Sequence, residues 1–107
     1  MIIKNSDVNY DILNEKSRRK ILAHAESLMM VEVTFDKGGV GALHKHVHEQ
    51  ISYITKGSIE FDMDGEKTVV TEGDSIYIPT NVIHGVKALT DAVIIDIFTP
   101  QREDFLA

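Results

Sequence analysis

The chain has 107 residues, a formal net charge of −6 at pH 7 and no cysteine. This length allows one modest hydrophobic core, so residues 1–107 are expected to form a single domain. Without cysteine there are no disulfides, thiolate metal ligands or thiol nucleophiles, and any metal must be held by nitrogen and oxygen atoms. The negative charge argues against nucleic acid or an anionic membrane as partner. No apolar signal segment opens the chain, which predicts a cytoplasmic protein.

The chain reads as a series of short strands separated by turn signals. Residues 1–16 are polar and predict a loose arm or an added edge strand. From Leu28 to Phe35 apolar and polar residues alternate, and Asp64-Gly65 is a strong hairpin turn. Further strands are predicted near residues 21–24, 50–56, 59–63, 67–71, 75–78, 84–88 and 92–99. Eight or so such strands without a long helix predict an all-β sandwich or barrel.

A basic segment, Ser17-Arg18-Arg19-Lys20, precedes one of these strands. We interpret it as the solvated start of a strand, and the alternative is a site for phosphate or carboxylate groups. His24, which stands alone, is expected to be a half-buried strand residue rather than a ligand.

Histidines are concentrated in one stretch. His44, His46 and His48 lie within five positions, and His84 follows later. Histidines at i and i+2 on an extended strand point to the same face, and Gln50 shares that parity if the strand is regular. Three imidazoles and one side-chain oxygen suit a divalent metal such as Zn, Ni, Mn or Fe. Surface histidine clusters also arise by chance, so spacing alone leaves both interpretations open.

Two spaced patterns frame these histidines. The first is Gly38-x5-His44-x-His46-x3-Gln50-x6-Gly57, and the second is Gly73-x5-Pro79-x-Asn81-x2-His84. They resemble the two motifs of the cupin superfamily, G-x5-H-x-H-x3,4-E-x6-G and G-x5-P-x-G-x2-H-x3-N. Over residues 38–88 the resemblance implies a small jelly-roll (double-stranded β-helix) barrel. It also implies a metal site, here on His44, His46, Gln50 and His84.

The chain departs from the cupin motifs at three positions. Gln50 replaces the usual glutamate, and its uncharged amide oxygen would leave a metal ion a better Lewis acid. Neighbouring Glu49 has the wrong parity and is expected to be solvated. Asn81 replaces a glycine, which is tolerable because asparagine accepts left-handed backbone conformations; Ala88 replaces the final asparagine. His48 is expected to be a bystander on a bend or to lie just behind the ligands.

The end of the chain carries a second resemblance. Asp96-x-Phe98-x-Pro100-x-Arg102-Glu103-Asp104-Phe105-Leu106 is similar to the close, D-x-F-x-P-x-R-E-D-F-L, of small single-domain cupins related to KdgF. Residues 17–22 and 28–29 are also similar. Those proteins act in pectin and alginate catabolism. The resemblance implies metal-dependent ketonisation, an isomerase-type reaction, of 4,5-unsaturated monouronates, with a sugar acid as the small-molecule substrate.

Asp96 is the candidate acid/base. It lies on a strand that is apolar on both faces, where a carboxylate is costly unless it is paired, faces a metal or is protonated. The alternative is a structural role, capping backbone or pairing with Arg18 or Arg19.

Two further residues are candidates for substrate binding. Arg102 offers a fork for a uronate carboxylate, and the alternative is a surface pair with Glu103 or Asp104. Phe98 is predicted to pack on the sugar ring, or else to belong to the core.

Other functions stay open on the same ligands. A cupin dioxygenase or sugar isomerase would use them on another substrate, and a non-enzymatic cupin would only bind sugar. Edge strands and apolar faces in so small a barrel also predict a symmetric homodimer, with the 93–97 strand and the N-terminal arm as candidate contacts.

Overall fold

The computed structural model describes residues 1–107 and is built from ten β-strands. These are β1 (Asp11–Asn14), β2 (Ser17–Ala25), β3 (Leu28–Phe35), β4 (Val40–His44), β5 (Glu49–Lys56), β6 (Ser58–Met63), β7 (Glu66–Thr71), β8 (Ser75–Ile78), β9 (His84–Ala88) and β10 (Ala92–Thr99). A 3-10 turn (Asn5–Asp7) precedes them and a short helix, α1 (Glu103–Leu106), follows. Neither has the length and hydropathy of a membrane span.

The strands form two antiparallel sheets that face each other. The larger has the order β1-β2-β3-β10-β5-β8, and the smaller has the order β4-β9-β6-β7. This arrangement confirms the all-β jelly-roll prediction. The neighbours β3–β10–β5 come from distant parts of the chain, so the sheet joins the start, the middle and the end of the sequence.

The core follows from strand alternation. Met29, Val31, Val33 and Phe35 of β3 are buried with inward-facing residues of β10, and all belong to one cluster of 13 apolar side chains. Turn chemistry sets the strand ends: Asp64-Gly65 has positive φ angles of 53° and 84°, as a two-residue hairpin requires.

The basic segment is the start of β2 (Ser17–Ala25), as interpreted, but Ser17 and Lys20 are buried rather than solvated. β1 pairs with β2 at the edge of the larger sheet, so part of residues 1–16 forms the added edge strand. The histidine stretch differs from the sequence-based expectation. β4 ends at His44, so His46 lies on the bend between β4 and β5 rather than on a strand. His24 is half-buried, as predicted, and its Nδ1 lies 2.7 Å from Gln101 Oε1.

Candidate functional site

Three histidines meet at one end of the two sheets. His44 of β4 and His84, the first residue of β9, are directly paired across the smaller sheet. The bend after β4 brings in His46, whose ring centroid lies 5.6 Å from that of His44 and 5.0 Å from that of His84. One ring nitrogen of each histidine lies within 4.8 Å of the others. A strand pair and a bend therefore build the cluster, where the sequence predicted one strand face.

Each of these rings is oriented by a backbone carbonyl two residues away. The Nδ1 atoms lie 2.8, 3.0 and 2.9 Å from the carbonyl oxygens of Ala42, His48 and Val82, respectively. A carbonyl can only accept, so each Nδ1 carries the proton and donates it. In the neutral ring the lone pair is then on Nε2, the arrangement that a metal-binding histidine needs.

The Nε2 atom of His84 is buried and has no hydrogen-bond partner. Burial is the main cause that lowers the pKa of His84 to about 4, so the ring is neutral at pH 7. Burial, followed by the charge of Arg102, also lowers the pKa of His46. Buried polar atoms are rarely left without a partner, and a lone pair held ready in this way fits a metal ion.

Gln50 points its amide at the cluster from the second residue of β5. Its Oε1 lies 2.9 Å from His46 Nε2, and its Nε2 donates to Ser52 Oγ at 2.9 Å. The Ser52 hydroxyl in turn donates to Asp96 Oδ1 at 2.6 Å. Because an ionised carboxylate only accepts hydrogen bonds, this chain fixes the amide with its oxygen toward the histidines.

The contact between His46 and Gln50 bears on whether these residues fit a metal ion. With His46 Nδ1 donating to a carbonyl, the neutral ring presents an Nε2 lone pair to the Gln50 oxygen, which is also an acceptor. A proton on Nε2 would remove the repulsion between these two acceptors. Burial, however, is the main cause that lowers the pKa of His46, and this opposes protonation. A cation that both atoms could ligate relieves it as well, so the donor set fits a divalent metal held by nitrogen and oxygen.

His48 and Glu49 have other surroundings. The backbone carbonyl of His48 orients His46, and its half-buried ring lies 6.4 Å from that of Phe98. Glu49 is exposed and accepts a hydrogen bond from Tyr77 Oη. The His48 ring lies 5.4 Å from that of His46, but neither residue contributes an atom to the close group formed by His44, His46 and His84.

Asp96 lies on the inward face of β10, opposite Ser52 of β5. Part of its surface opens to a cavity, but the carboxyl lies deep inside the protein, and this burial raises its pKa to about 6 against the hydrogen bonds from Ser52 and Gln50. The alternative of an ion pair with Arg18 or Arg19 is wrong. Arg18 is 3.4 Å from Asp36, and Arg19 is 3.7 Å from Asp11.

Arg102 and Phe98 form part of the same wall. Arg102 is only 8% exposed, so it is not the surface arginine of the alternative interpretation, although Nε and Nη2 do donate to Asp104 at 3.0 and 2.8 Å. Phe98 is a core residue, and its ring meets that of His46 edge-on at 5.6 Å.

These side chains line one cavity of about 250 Å³ between the two sheets. Its polar wall combines His44, His84, Gln50, Ser52, Asp96, Arg19 and Arg102. The rest is apolar, including Phe98 and Phe105. A site of this size and composition suits a small polar ligand.

Sequence reasoning missed three residues of this wall. Ser52, Arg19 and Phe105 all line the cavity. Strand parity offered a signal for Ser52, which is two residues from Gln50 on the same strand. For Arg19 the signal was the basic segment itself, whose alternative interpretation was a site for phosphate or carboxylate groups. Phe105 lies in a tail without a periodic pattern.

Comparison with known proteins agrees with this geometry. The family model of the cupin domain matches residues 31–98. The chain belongs to the cupin family. This cupin is 40% identical over 104 residues to the pectin degradation protein KdgF of Dickeya dadantii (strain 3937), covering 95% of this chain and 94% of that protein.

Solved structures give the same picture. KdgF from a Halomonas species superposes with a TM-score of 0.94 at 37% identity, covering 98% of this cupin and 97% of that chain. An RmlC-like cupin from Shewanella frigidimarina has a TM-score of 0.93 at 36% identity, with coverages of 97% and 94%. The resemblance to small single-domain cupins related to KdgF is thereby confirmed.

Proposed function

We propose that this cupin catalyses the metal-dependent ketonisation of 4,5-unsaturated monouronates in pectin or alginate catabolism. One observation carries the proposal: the amide oxygen of Gln50 faces His46, and hydrogen bonds through Ser52 join the same amide to the buried carboxyl of Asp96. This arrangement supports a metal site and a proton carrier lying side by side. The similarity to a protein named for pectin degradation supports the substrate class.

The residues that would hold the metal are His44, His46, Gln50 and His84. A bound divalent ion, such as Zn, Ni, Mn or Fe, would supply Lewis-acid polarisation of a substrate oxygen. The protein contributes three oriented imidazoles and one neutral amide oxygen, so no ligand charge offsets that of the ion.

Asp96 would carry the proton. When the hemiacetal ring opens, the proton of the C1 hydroxyl is lost, the C1–ring oxygen bond breaks, and the ring oxygen takes up a proton to give an enol at C5. The enol then becomes a ketone as C4 gains a proton and the C5 hydroxyl loses one. Burial raises the pKa of Asp96 to about 6, so its carboxyl can both accept and return a proton near neutral pH.

Arg102 and Phe98 would hold the substrate. Asp104 engages Nε and Nη2 of Arg102 and fixes the guanidinium plane, which leaves Nη1 for a substrate carboxylate. Phe98, beside His46, provides an apolar surface for the sugar ring.

The test is the loss of ultraviolet absorbance of the 4,5 double bond, followed with the metal-loaded protein. We expect Asp96→Asn to reduce the rate by about 10²- to 10⁴-fold, the usual contribution of general acid–base catalysis. Glu49→Gln, which neutralises an exposed carboxylate outside the cavity, is the control and should convert at the wild-type rate. Full activity in Asp96→Asn would exclude the assigned mechanism. Uronate binding without turnover, or oxygen uptake, would contradict the proposed reaction.

We further propose that two copies form a symmetric homodimer through the outer face of the larger sheet. Strand register aligns Met30, Ile97, Ile51 and Tyr77 across β3, β10, β5 and β8. Met30, Ile51 and Tyr77 are exposed, and an apolar row of this kind favours association. Light scattering at low concentration measures the mass directly.

The cytoplasmic location and the absence of a nucleic-acid or membrane partner stay predictions from the sequence.

A further inference from the structure

Arg19 points into the cavity although it belongs to a basic segment that otherwise faces outward. It pairs in register with Val33, whose side chain is in the core, whereas the flanking Arg18 and Lys20 pair with Thr34 and Glu32 on the outer face. Strand alternation therefore separates the three cations. Arg19 lines the same cavity as the histidine cluster, Asp96 and Arg102.

The side-chain donors of Arg19 make no hydrogen bond within the protein. Its Nε is buried without a hydrogen-bond partner, and the nearest carboxylate oxygen, Oδ2 of the exposed Asp11, lies 3.7 Å away. The other cations of the segment are occupied: Arg18 pairs with Asp36, and Lys20 donates to Asn5. A guanidinium with a structural role alone would have such partners as well.

The Phe105 ring holds Arg19 in place. The guanidinium carbon of Arg19 lies 3.7 Å from the ring centroid, and that of Arg102 lies 4.2 Å from the same centroid. Stacking fixes the plane of a guanidinium without using its hydrogen-bond donors. The end of the chain thus holds two positive charges at one wall of the cavity. Arg102 is hydrogen-bonded to Asp104, whereas Arg19 has only the exposed Asp11 carboxylate at 3.7 Å.

We propose that Arg19 binds the carboxylate of the uronate substrate, together with Nη1 of Arg102. The inference rests on the proposed function and assigns the recognition of the acidic group. A carboxylate has about four lone-pair sites and can accept from two guanidinium groups at once. Arg19, with all its donors free, makes the larger contribution, and it selects acidic over neutral sugars.

The test compares Arg19→Gln and Arg19→Lys with Arg18→Gln, a matched control that removes the adjacent, outward-facing guanidinium. Calorimetric titration with galacturonate, a saturated monouronate, measures binding without turnover. We expect Arg19→Gln to weaken binding by about 10- to 100-fold, the range for a charge-assisted hydrogen bond. Arg19→Lys keeps the positive charge but lacks the two parallel N–H donors of a guanidinium, so its loss of affinity should be smaller. Arg18→Gln should bind galacturonate like wild type.

Kinetics provide a second readout. In Arg19→Gln the KM for the unsaturated uronate should rise by the same factor while kcat changes little, whereas structural damage would lower kcat and metal content as well. If Arg19→Gln does not fold, Arg19→Lys carries the comparison.

Failure of the Arg19 inference and failure of the proposed function would give different results. If wild type converts the substrate and both Arg19 variants bind galacturonate equally well, this inference alone is overturned. If wild type neither binds galacturonate nor converts the unsaturated sugar, the proposed function fails and the inference fails with it.

Discussion

At the scale of single residues, Ser52 controls which atom of Gln50 faces the histidines. It is 1% exposed, accepts from the Gln50 amide and donates to Asp96. Without its hydroxyl the amide nitrogen would lose its 2.9 Å acceptor, and only the Asp96 carboxylate would still favour the oxygen facing the histidines. An amide turned by half a rotation would present an N–H group to the metal ligands in place of a lone pair.

We expect Ser52→Ala to weaken metal binding by about 10- to 100-fold, as the loss of a group that orients a ligand usually does. Ser52→Thr keeps the hydroxyl and should retain more of the affinity. Titration of the metal-free protein with zinc measures the effect, and Thr55→Ala, at an exposed position of the same strand, is the control. Equal zinc affinity in Ser52→Ala and wild type would show that Ser52 does not orient Gln50.

Asp96 predicts a pH-dependent stability. Burial raises its pKa from 3.8 to about 6, so the folded state resists ionisation of this carboxyl. The contribution to stability is present below pH 4 and is lost as the pH rises through about 6. In metal-free protein, Asp96→Asn should therefore increase the free energy of unfolding by about 1–3 kcal/mol above pH 7.

The gain should disappear as the pH falls toward 4. Urea unfolding of both proteins with a chelator present, at several pH values, measures the difference. A difference that stays constant with pH would contradict the raised pKa.

The cupin motifs predicted the positions of His44, His46, Gln50 and His84, because motif spacing encodes where strands and turns begin. Neither motif includes Ser52 or Arg19. Their roles depend on which strand lies alongside and on which face is inward. Ser52 meets Asp96 only because β5 and β10 pair in one particular register, and a single sequence does not contain that register.

At the scale of elements, two connecting segments meet at the histidine cluster. The bend of residues 45–48 delivers His46, and the loop between β8 and β9 delivers His84. Asn81 joins them: its N–H donates to the carbonyl of His46 at 2.8 Å. It has a φ of 62°, in the left-handed region that the motif glycine would occupy.

This conformation predicts different effects on stability for two substitutions. Asn81→Gly should change the free energy of unfolding by no more than about 0.5 kcal/mol, because glycine adopts positive φ without strain. Asn81→Val should cost about 1–2 kcal/mol or more, since a β-branched residue is strained there. Thermal or urea unfolding measures both. If the valine variant were as stable as wild type, the loop would not depend on the left-handed residue.

Alternation and turn residues were enough to predict most strands, including β3 and the β6–β7 hairpin. They were not enough for the histidine stretch. The sequence suggested one continuous strand, whereas β4 ends at His44 and His46 lies on a bend. Side chains that serve a site need not follow the alternation of the core. The same applies to α1, whose Phe105 contacts two arginines and gives no periodic signal.

At the scale of the whole molecule, the jelly roll gathers residues from the entire chain around one cavity. Arg19 comes from its first fifth, His44, His46 and Gln50 from its middle, and His84, Asp96 and Arg102 from its last quarter. The fold class was predictable because many weak signals, a turn every few residues, agree with one another. The residues that line the cavity were less predictable, because long-range strand pairing brings them together.

The whole account depends on a metal ion and Asp96 acting on an unsaturated uronate in that cavity. The most direct measurement determines the metal content of the purified protein and follows the absorbance of 4,5-unsaturated galacturonate before chelation, after chelation and after reloading. We predict about one divalent ion per chain. Removing it should slow conversion by at least about 100-fold, and reloading should restore the rate. Conversion by the metal-free protein at the original rate would contradict the account.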